Sequence, residues 1–221
     1  MTGDRRVRAV LLGVLALALV AGGMLLRPLV IPENESSPPV LTPTEVGFVQ
    51  DMTAHHQQAL IMVQRLDSGV DPGVRALAQQ IADTQRMEIG TLLGWLRLAD
   101  ASPMSGHPMA WMHSADSAAT QDHSGMSMPT TTAAAGSSMP GMATLAELDA
   151  LAAARGPDAE TLFLQLMLRH HQGGVDMAQA LLKLVHSGAV MEAARGMVTT
   201  QTQEAGLMTL LLAQRNAQPL S

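Results

Sequence analysis

No cysteine occurs in the 221 residues. Disulfides, thiolate metal sites, a thiol nucleophile and a lipid-modified N-terminal cysteine are therefore excluded. Any soft metal ligand has to be methionine sulfur. Tyrosine is also absent, and the aromatic residues are Phe48, Trp95, Trp111 and Phe163. A core made from this chain must be aliphatic and methionine-filled. The length suffices for one or two small domains with a buried core. β-Branched runs are scarce while Ala, Leu, Gln and Met abound, which favours helices. Positive charge is short: beyond Arg27, nine Lys and Arg face eighteen Asp and Glu. That surplus of acid argues against a nucleic-acid partner.

What is present begins with an address. Arg5, Arg6 and Arg8 precede an uncharged stretch from Ala9 to Leu26, near the lower limit of what spans a bilayer. The flanking arginines place the N-terminus in the cytoplasm and the body outside. The alternative is a signal peptide cleaved near Ala16, Ala18 or Ala21. Both readings export the body. The length of the apolar run favours an anchor, so the expected location is the cell envelope, extracytoplasmic, held by one N-terminal transmembrane helix. Five prolines between Pro28 and Pro43 then make an extended tether.

Helical periodicity starts after the tether. Thr44 is placed to cap a helix over Glu45 to Ser68, stopped by Gly69. Asp71 and Pro72 form an N-cap and N1 pair for a second helix to about Ala99. Asp100 to Met142 is crowded with Ser, Thr, Ala, Gly and Pro and is expected to be mostly disordered. Thr144 and Glu147 make a capping box for a short helix ended by Gly156. A third long helix follows from Pro157 to about His186, and a fourth from Val190 to Gln214. The chain thus divides into a signal or anchor segment (1–27), a tether (28–43), a helical hairpin (44–99), a Met/His-rich linker (100–143), and a short helix with a second hairpin (144–216).

The two hairpins repeat each other. At an offset of 115, Phe48 pairs with Phe163, Met52 with Met167, His55 with His170, His56 with His171, Gln57 with Gln172, and Met62 with Met177. One extra residue in the second turn makes the offset 116 thereafter, pairing Gln85 with Gln201 and Glu88 with Glu204. Two hairpins of one design are expected to pack as a four-helix bundle.

At about 100° per residue, Phe48, Met52, His55, His56, Met62 and Leu66 fall within one arc of about 140°. Both histidines therefore lie on the apolar stripe, and the third helix repeats the arrangement. Neutral imidazoles left unpaired in an apolar core cost several kcal/mol. A metal held by imidazole nitrogen and the thioethers of Met52 and Met167 would satisfy them. Glu88 and Glu204 would orient the imidazoles or ligate directly, with Gln85 and Gln201 beside them. Met62 and Met177 also sit on the stripe, although methionine there is commonly packing. The alternative is a metal-free polar core. In the linker, Met104, His107, Met109, Met112 and His113, with His123, Met126 and Met128 further on, form a loose collector. Sulfur with imidazole prefers copper, Cu(I) especially, over harder ions.

The stretches "FVQDMTAHHQQALIM", "IADTQRMEIGTLLGWL" and "FLQLMLRHHQGGVDMA" resemble an exported bacterial family known as a domain of unknown function, DUF305, which includes CopM-type periplasmic copper-binding proteins. The likeness covers about Thr44 to Leu98 and Met142 to Leu212. It implies an all-α, ferritin-like four-helix bundle, export and, for some members, copper binding and tolerance. The motif positions it carries over are Met52, His55, His56, Met62, Gln85 and Glu88, then Met167, His170, His171, Met177, Gln201 and Glu204. "TQTQEAGLMTLLL" is a looser match, so the second half is expected to be weaker or to share one site with the first.

The leading expectation is thus an extracytoplasmic metal-binding protein that sequesters copper, with another transition metal as the alternative and a homo-oligomer compatible with the sequence. A di-metal oxidase on the ferritin-like plan usually needs several carboxylates and Glu-x-x-His motifs. Only Glu88 and Glu204 stand at matching core positions, which argues against an enzyme. A third reading is a metal-free envelope interaction module.

Overall fold

The structure, a computed structural model, describes residues 11–24, 39–113 and 139–220. The chain falls into two compact units, one ending at Pro38 and one beginning at Pro39. In the first, residues 11–24 form helix α1. No helix among the described residues is long and apolar enough to cross a membrane, and Ala9, Val10, Leu25 and Leu26 lie outside them. The expected tether falls mostly outside them as well.

The second unit holds four long helices. They are α2 (Pro43–Arg65), α3 (Pro72–Leu98), α5 (Gly156–Leu184) and α6 (Ala189–Gln214), with the short α4 (Leu145–Ala153) before α5. No strand occurs among the described residues. Helix α2 starts earlier than expected. Its cap is Thr42, whose hydroxyl accepts from the Glu45 amide while Glu45 accepts from the Thr42 amide, and Pro43 sits in the first turn. The reciprocal bonding satisfies two amides that would otherwise be orphaned at the helix start. Asp71 caps α3 through Gly73 and Val74, as its sequence predicts, and Thr144 with Glu147 caps α4. Gly156 does not end a helix; it is the first residue of α5. Arg169 grips Glu147 with two nitrogens at 2.8 and 2.7 Å, tying α4 to α5. That guanidinium holds the Glu147 carboxyl down at about 2.

Each hairpin packs its own two helices, and α2 lies against α5. Two apolar clusters fill the interior. One contains Met62, Phe163 and Met167 with Val74, Leu77 and Ile81. The other contains Phe48, Met52 and Met177 with Leu92, Leu96 and Trp111. Met52, Met62, Met167 and Met177 are all fully buried. The antiparallel pairing of α2 with α5 explains the exchange, because Met52 precedes its histidines while Met177 follows its own.

The linker departs from expectation at both ends. Residues 100–113 and 139–143 are ordered against the bundle, and Ala110–His113 is a 3-10 turn. The anchor of the first end is Asp51. Its carboxylate accepts from the Met109 amide at 2.6 Å and from Trp111 Nε1–H at 2.9 Å, with all three residues buried. Trp111 stands edge-on to Phe48, ring centres 5.4 Å apart, and lies directly over Gly47, where a side chain would collide with it. Burial raises the Asp51 pKa against the lowering effect of these donors.

Asp51→Ala strands two buried donors. It is expected to cost about 3 kcal/mol and to release the 101–113 segment. The measurement is urea unfolding together with the Trp111 emission maximum. An unshifted emission and an unchanged midpoint would contradict this anchoring role.

Candidate metal centre

The helical registers bring the two histidine doublets together between the two apolar clusters. His55, His56, His170 and His171 have no exposed surface. The His55 and His170 rings stack across the α2–α5 contact, 3.8 Å between centres and 28° between planes. His56 and His171 flank them, 6.4 and 6.3 Å from their sequence neighbours. The expected convergence of imidazoles from both hairpins is therefore present.

The bonds at the Nε2 atoms decide the chemistry. His170 Nε2 lies 2.9 Å from the His55 carbonyl, His55 Nε2 lies 3.1 Å from the Pro140 carbonyl, and His171 Nε2 lies 2.8 Å from Glu204. Each of these partners only accepts, so each Nε2 carries the proton and donates. A neutral imidazole protonated at Nε2 keeps its lone pair on Nδ1. His56 Nε2 approaches Glu88 to 2.7 Å, although the angle is not that of a hydrogen bond. All four Nδ1 atoms are buried without a protein partner, and so are both side-chain atoms of Gln85 and of Gln201. For His55, His170 and His171 one nitrogen is tied to an oxygen acceptor and the other has no protein partner, a pattern shared with metal-ligating histidines.

Electrostatics keep the lone pairs available. Burial, followed by repulsion from His56, pushes His55 down to about 3. Burial, with repulsion from the neighbouring histidines, holds His170 well below the ordinary histidine range. Both are neutral at neutral pH.

The donor chemistry suits a soft ion, with nitrogen from the imidazoles and sulfur from the four buried methionines. Among the described residues, no three His, Asp or Glu side chains, the four histidines included, are grouped as they stand to hold a metal ion. A harder ion is further disfavoured by its need for oxygen ligands. The carboxylates are already engaged, Glu88 by His56, Glu204 by His171, and Asp51 by the linker. Asp176 is exposed.

Several contributors were not visible in sequence. Pro140 reaches His55 because its segment lies in a cradle on α5. A side chain at Gly173 would collide with the Pro140 carbonyl, and one at Gly141 (φ 75°) with the Arg169 carbonyl. Gln58 clamps the same segment, donating to the Ala143 carbonyl at 2.9 Å and accepting from the Ala143 amide at 2.6 Å. The signal available was Gly173 standing at the repeat position of Gln58. Gly174 likewise makes room for Gln201, whose amide a methyl group would strike.

The linker candidates are dispersed. Met104 and Met139 line a cavity of about 580 Å³ with Asp51 and Gln57. His107 lines a different cleft beside Trp111. Met112 is exposed and Met109 is packed in the core. His113 closes the 3-10 turn. His123, Met126 and Met128 lie outside the described residues. Gln57 and Gln172 of the motif face solvent.

Lowered histidine pKa values make the unfolded chain the better proton binder, so stability rises with pH. The contribution of His55 and His170 is fully present above their unfolded values near 6.5 and is lost as pH falls towards about 3 for His55. Between pH 6 and 5, above the carboxylate range, each is expected to remove about 1 kcal/mol of unfolding free energy per pH unit. Denaturant melts at pH 7, 6 and 5 check this, and a flat profile would contradict the burial of neutral imidazoles.

Solved structures with this fold include a DUF305 protein from Streptomyces coelicolor described as secreted. It is 37% identical with a TM-score of 0.67, over 80% of this chain and 96% of that one. A DUF305 fragment from Deinococcus radiodurans is 32% identical, TM-score 0.61, over 80% and 99%. CopM in its Cu(I)-bound form is 22% identical, TM-score 0.54, over 78% and 98%, a likeness of fold. No curated protein sequence matches. The domain-of-unknown-function pattern DUF305 matches residues 45–212, and the chain belongs to that family.

Proposed function

We propose that this protein binds copper outside the cytoplasm and sequesters it. The supporting observation is the set of four buried imidazoles whose Nδ1 atoms have no protein partner, two of them, His55 and His170, held neutral by burial. His55, His56, His170 and His171 are the nitrogen donors. Met52 and Met167 flank them as thioethers, and Met62 and Met177 complete a sulfur layer on each side. Glu88 and Glu204 fix the imidazoles, and Gln85 and Gln201 line the interior. Bound there, copper is held as Cu(I), the state that nitrogen and sulfur donors favour. The linker residues Met104, His107, Met112, His113, His123, Met126 and Met128 serve as a loose collector. The Cu(I)-bound and Cu(II)-bound forms of CopM, a protein of the same fold, agree with this reading, and the description of the Streptomyces relative as secreted agrees with the location. The di-metal oxidase reading is the weaker one, because every carboxylate near the interior is already engaged.

Full-length protein titrated with Cu(I) against a chelating competitor is expected to retain copper. Glu88→Gln with Glu204→Gln is expected to weaken it by about 10- to 100-fold, the usual cost of losing the groups that orient ligands. Met52→Leu with Met167→Leu conserves volume and folding and is expected to weaken Cu(I) too. Replacing all four histidines by Ala while helicity persists and copper affinity stays unchanged would remove the bundle site. Retention of no metal by protein from copper-supplemented cells would favour the interaction-module reading.

A further inference from the structure

The two His–Glu pairs are equal in length but not in cover. His56–Glu88 is 2.7 Å and His171–Glu204 is 2.8 Å, yet Glu88 is 22% exposed and Glu204 only 4%. The repeat supplies the reason. Gln80 donates to Glu204 at 3.4 Å and lies over it. At the offset of 116, the residue in the place of Gln80 is Gly196. A Cβ at Gly196 would meet nothing within 4 Å, so no packing contact calls for a glycine there. Its lack of a side chain leaves a groove of about 270 Å³ between α3 and α6, lined by Met87, Glu88, Trp95, Gly196 and Met197 among others.

The same asymmetry extends to sulfur. Met87 and Met197 line the open groove, while the repeat puts Gln203 and Ile81 in their places beside Glu204. Met87 is 69% exposed and Met197 is 2% exposed, so the groove offers thioethers at its lip and at its floor. Next to them Glu88 touches the buried His56. The order from solvent inwards is exposed sulfur, half-buried carboxylate, buried imidazole.

We infer that the α3–α6 groove is the port through which Cu(I) reaches the histidine layer. Met87 and Met197 are its soft contacts, and Gly196 is the residue that keeps it open. This rests on the copper reading above and adds a direction to it: the ion enters on the His56 side, while Gln80 seals the His171 side. Thioethers suit such a passage because they attract a soft ion without adding charge to the groove.

The test follows the transfer of Cu(I) from a chromophoric chelator to the full-length protein by stopped flow. The wild type is compared with Gly196→Gln, Gln80→Gly and the double variant Met87→Leu/Met197→Leu. The linker is common to all four, so differences among them report on the bundle. Gly196→Gln recreates the cover that Gln80 gives Glu204, and it replaces a mid-helix glycine with a better helix former. It is expected to slow uptake about tenfold, equivalent to about 1.4 kcal/mol on the barrier, with an unchanged end point. The double Leu variant is expected to slow uptake as well, and Gln80→Gly to leave it equal or faster. A normal end point with wild-type rates in both Gly196→Gln and the double variant overturns the port while leaving the copper reading intact. A wild type that takes no copper from the chelator overturns both.

Discussion

Everything in the centre follows from which nitrogen of each buried imidazole carries the proton. Burial alone would make four histidines a liability of several kcal/mol. The protein recovers part of that by giving the Nε2 atoms oxygen partners: two backbone carbonyls and a carboxylate, with a second carboxylate close by. An acceptor at Nε2 fixes the tautomer, and the tautomer leaves a lone pair at Nδ1. The same bonds that make the interior tolerable thus leave lone pairs on the Nδ1 atoms of His55, His170 and His171, which the proposed copper site would use. At His55 and His170 protonation does not compete near neutral pH, since burial holds both well below the ordinary histidine range.

The two halves use different oxygens for the same purpose, and this is where the duplication stops being symmetric. His170 bonds the backbone of its counterpart, His55, whereas His55 bonds Pro140 from outside the repeat. The segment around Pro140 can reach His55 only because Gly173 and Gly141 leave room for two backbones to touch. Gln58 then holds the segment in place with a two-bond clamp. The linker is therefore part of the centre at its C-terminal end. At its N-terminal end it is held by Asp51, whose repeat counterpart is the core residue Leu166. At Asp51 the first half docks one linker end where the second continues the core with Leu166, whereas the repeat partners Gln58 and Gly173 together hold the other end.

Much of this was legible from residues alone because it depends on local periodicity. The His-His doublets, the flanking methionines and the later glutamates share helix faces by spacing, and spacing is a property of sequence. The caps at Asp71 and Thr144 are local for the same reason. The start of α2 differs by two residues from its sequence expectation, since Thr42 and Thr44 are both capping residue types and only the bond from the Glu45 amide to Thr42 marks Thr42 as the cap, with Thr44 already inside the helix. What could not be read was non-local. A backbone carbonyl such as that of Pro140 has no residue-type signature. The docking of Met109 and Trp111 on Asp51 depends on a left-handed turn at Met109 (φ 66°) that few would assign to a non-glycine residue. Composition marks Met104, Met109, Met112, Met126 and Met128 alike as soft donors, whereas Met109 lies in the core.

The clusters on either side of the histidine layer explain why the site sits at mid-bundle rather than near an end. Met52 and Met177 belong to one cluster, and Met62 and Met167 to the other. Each helix thus contributes one thioether above the imidazoles and one below. Thioethers pack as well as leucine and adapt to irregular gaps, so the layer is enclosed without adding groups that must be hydrated. A carboxylate-rich interior of the same shape would need counter-ions or protons to be tolerated. Sulfur and neutral nitrogen let this small bundle bury a polar layer without counter-ions, and on the copper reading proposed above the same donors would favour soft ions over hard ones.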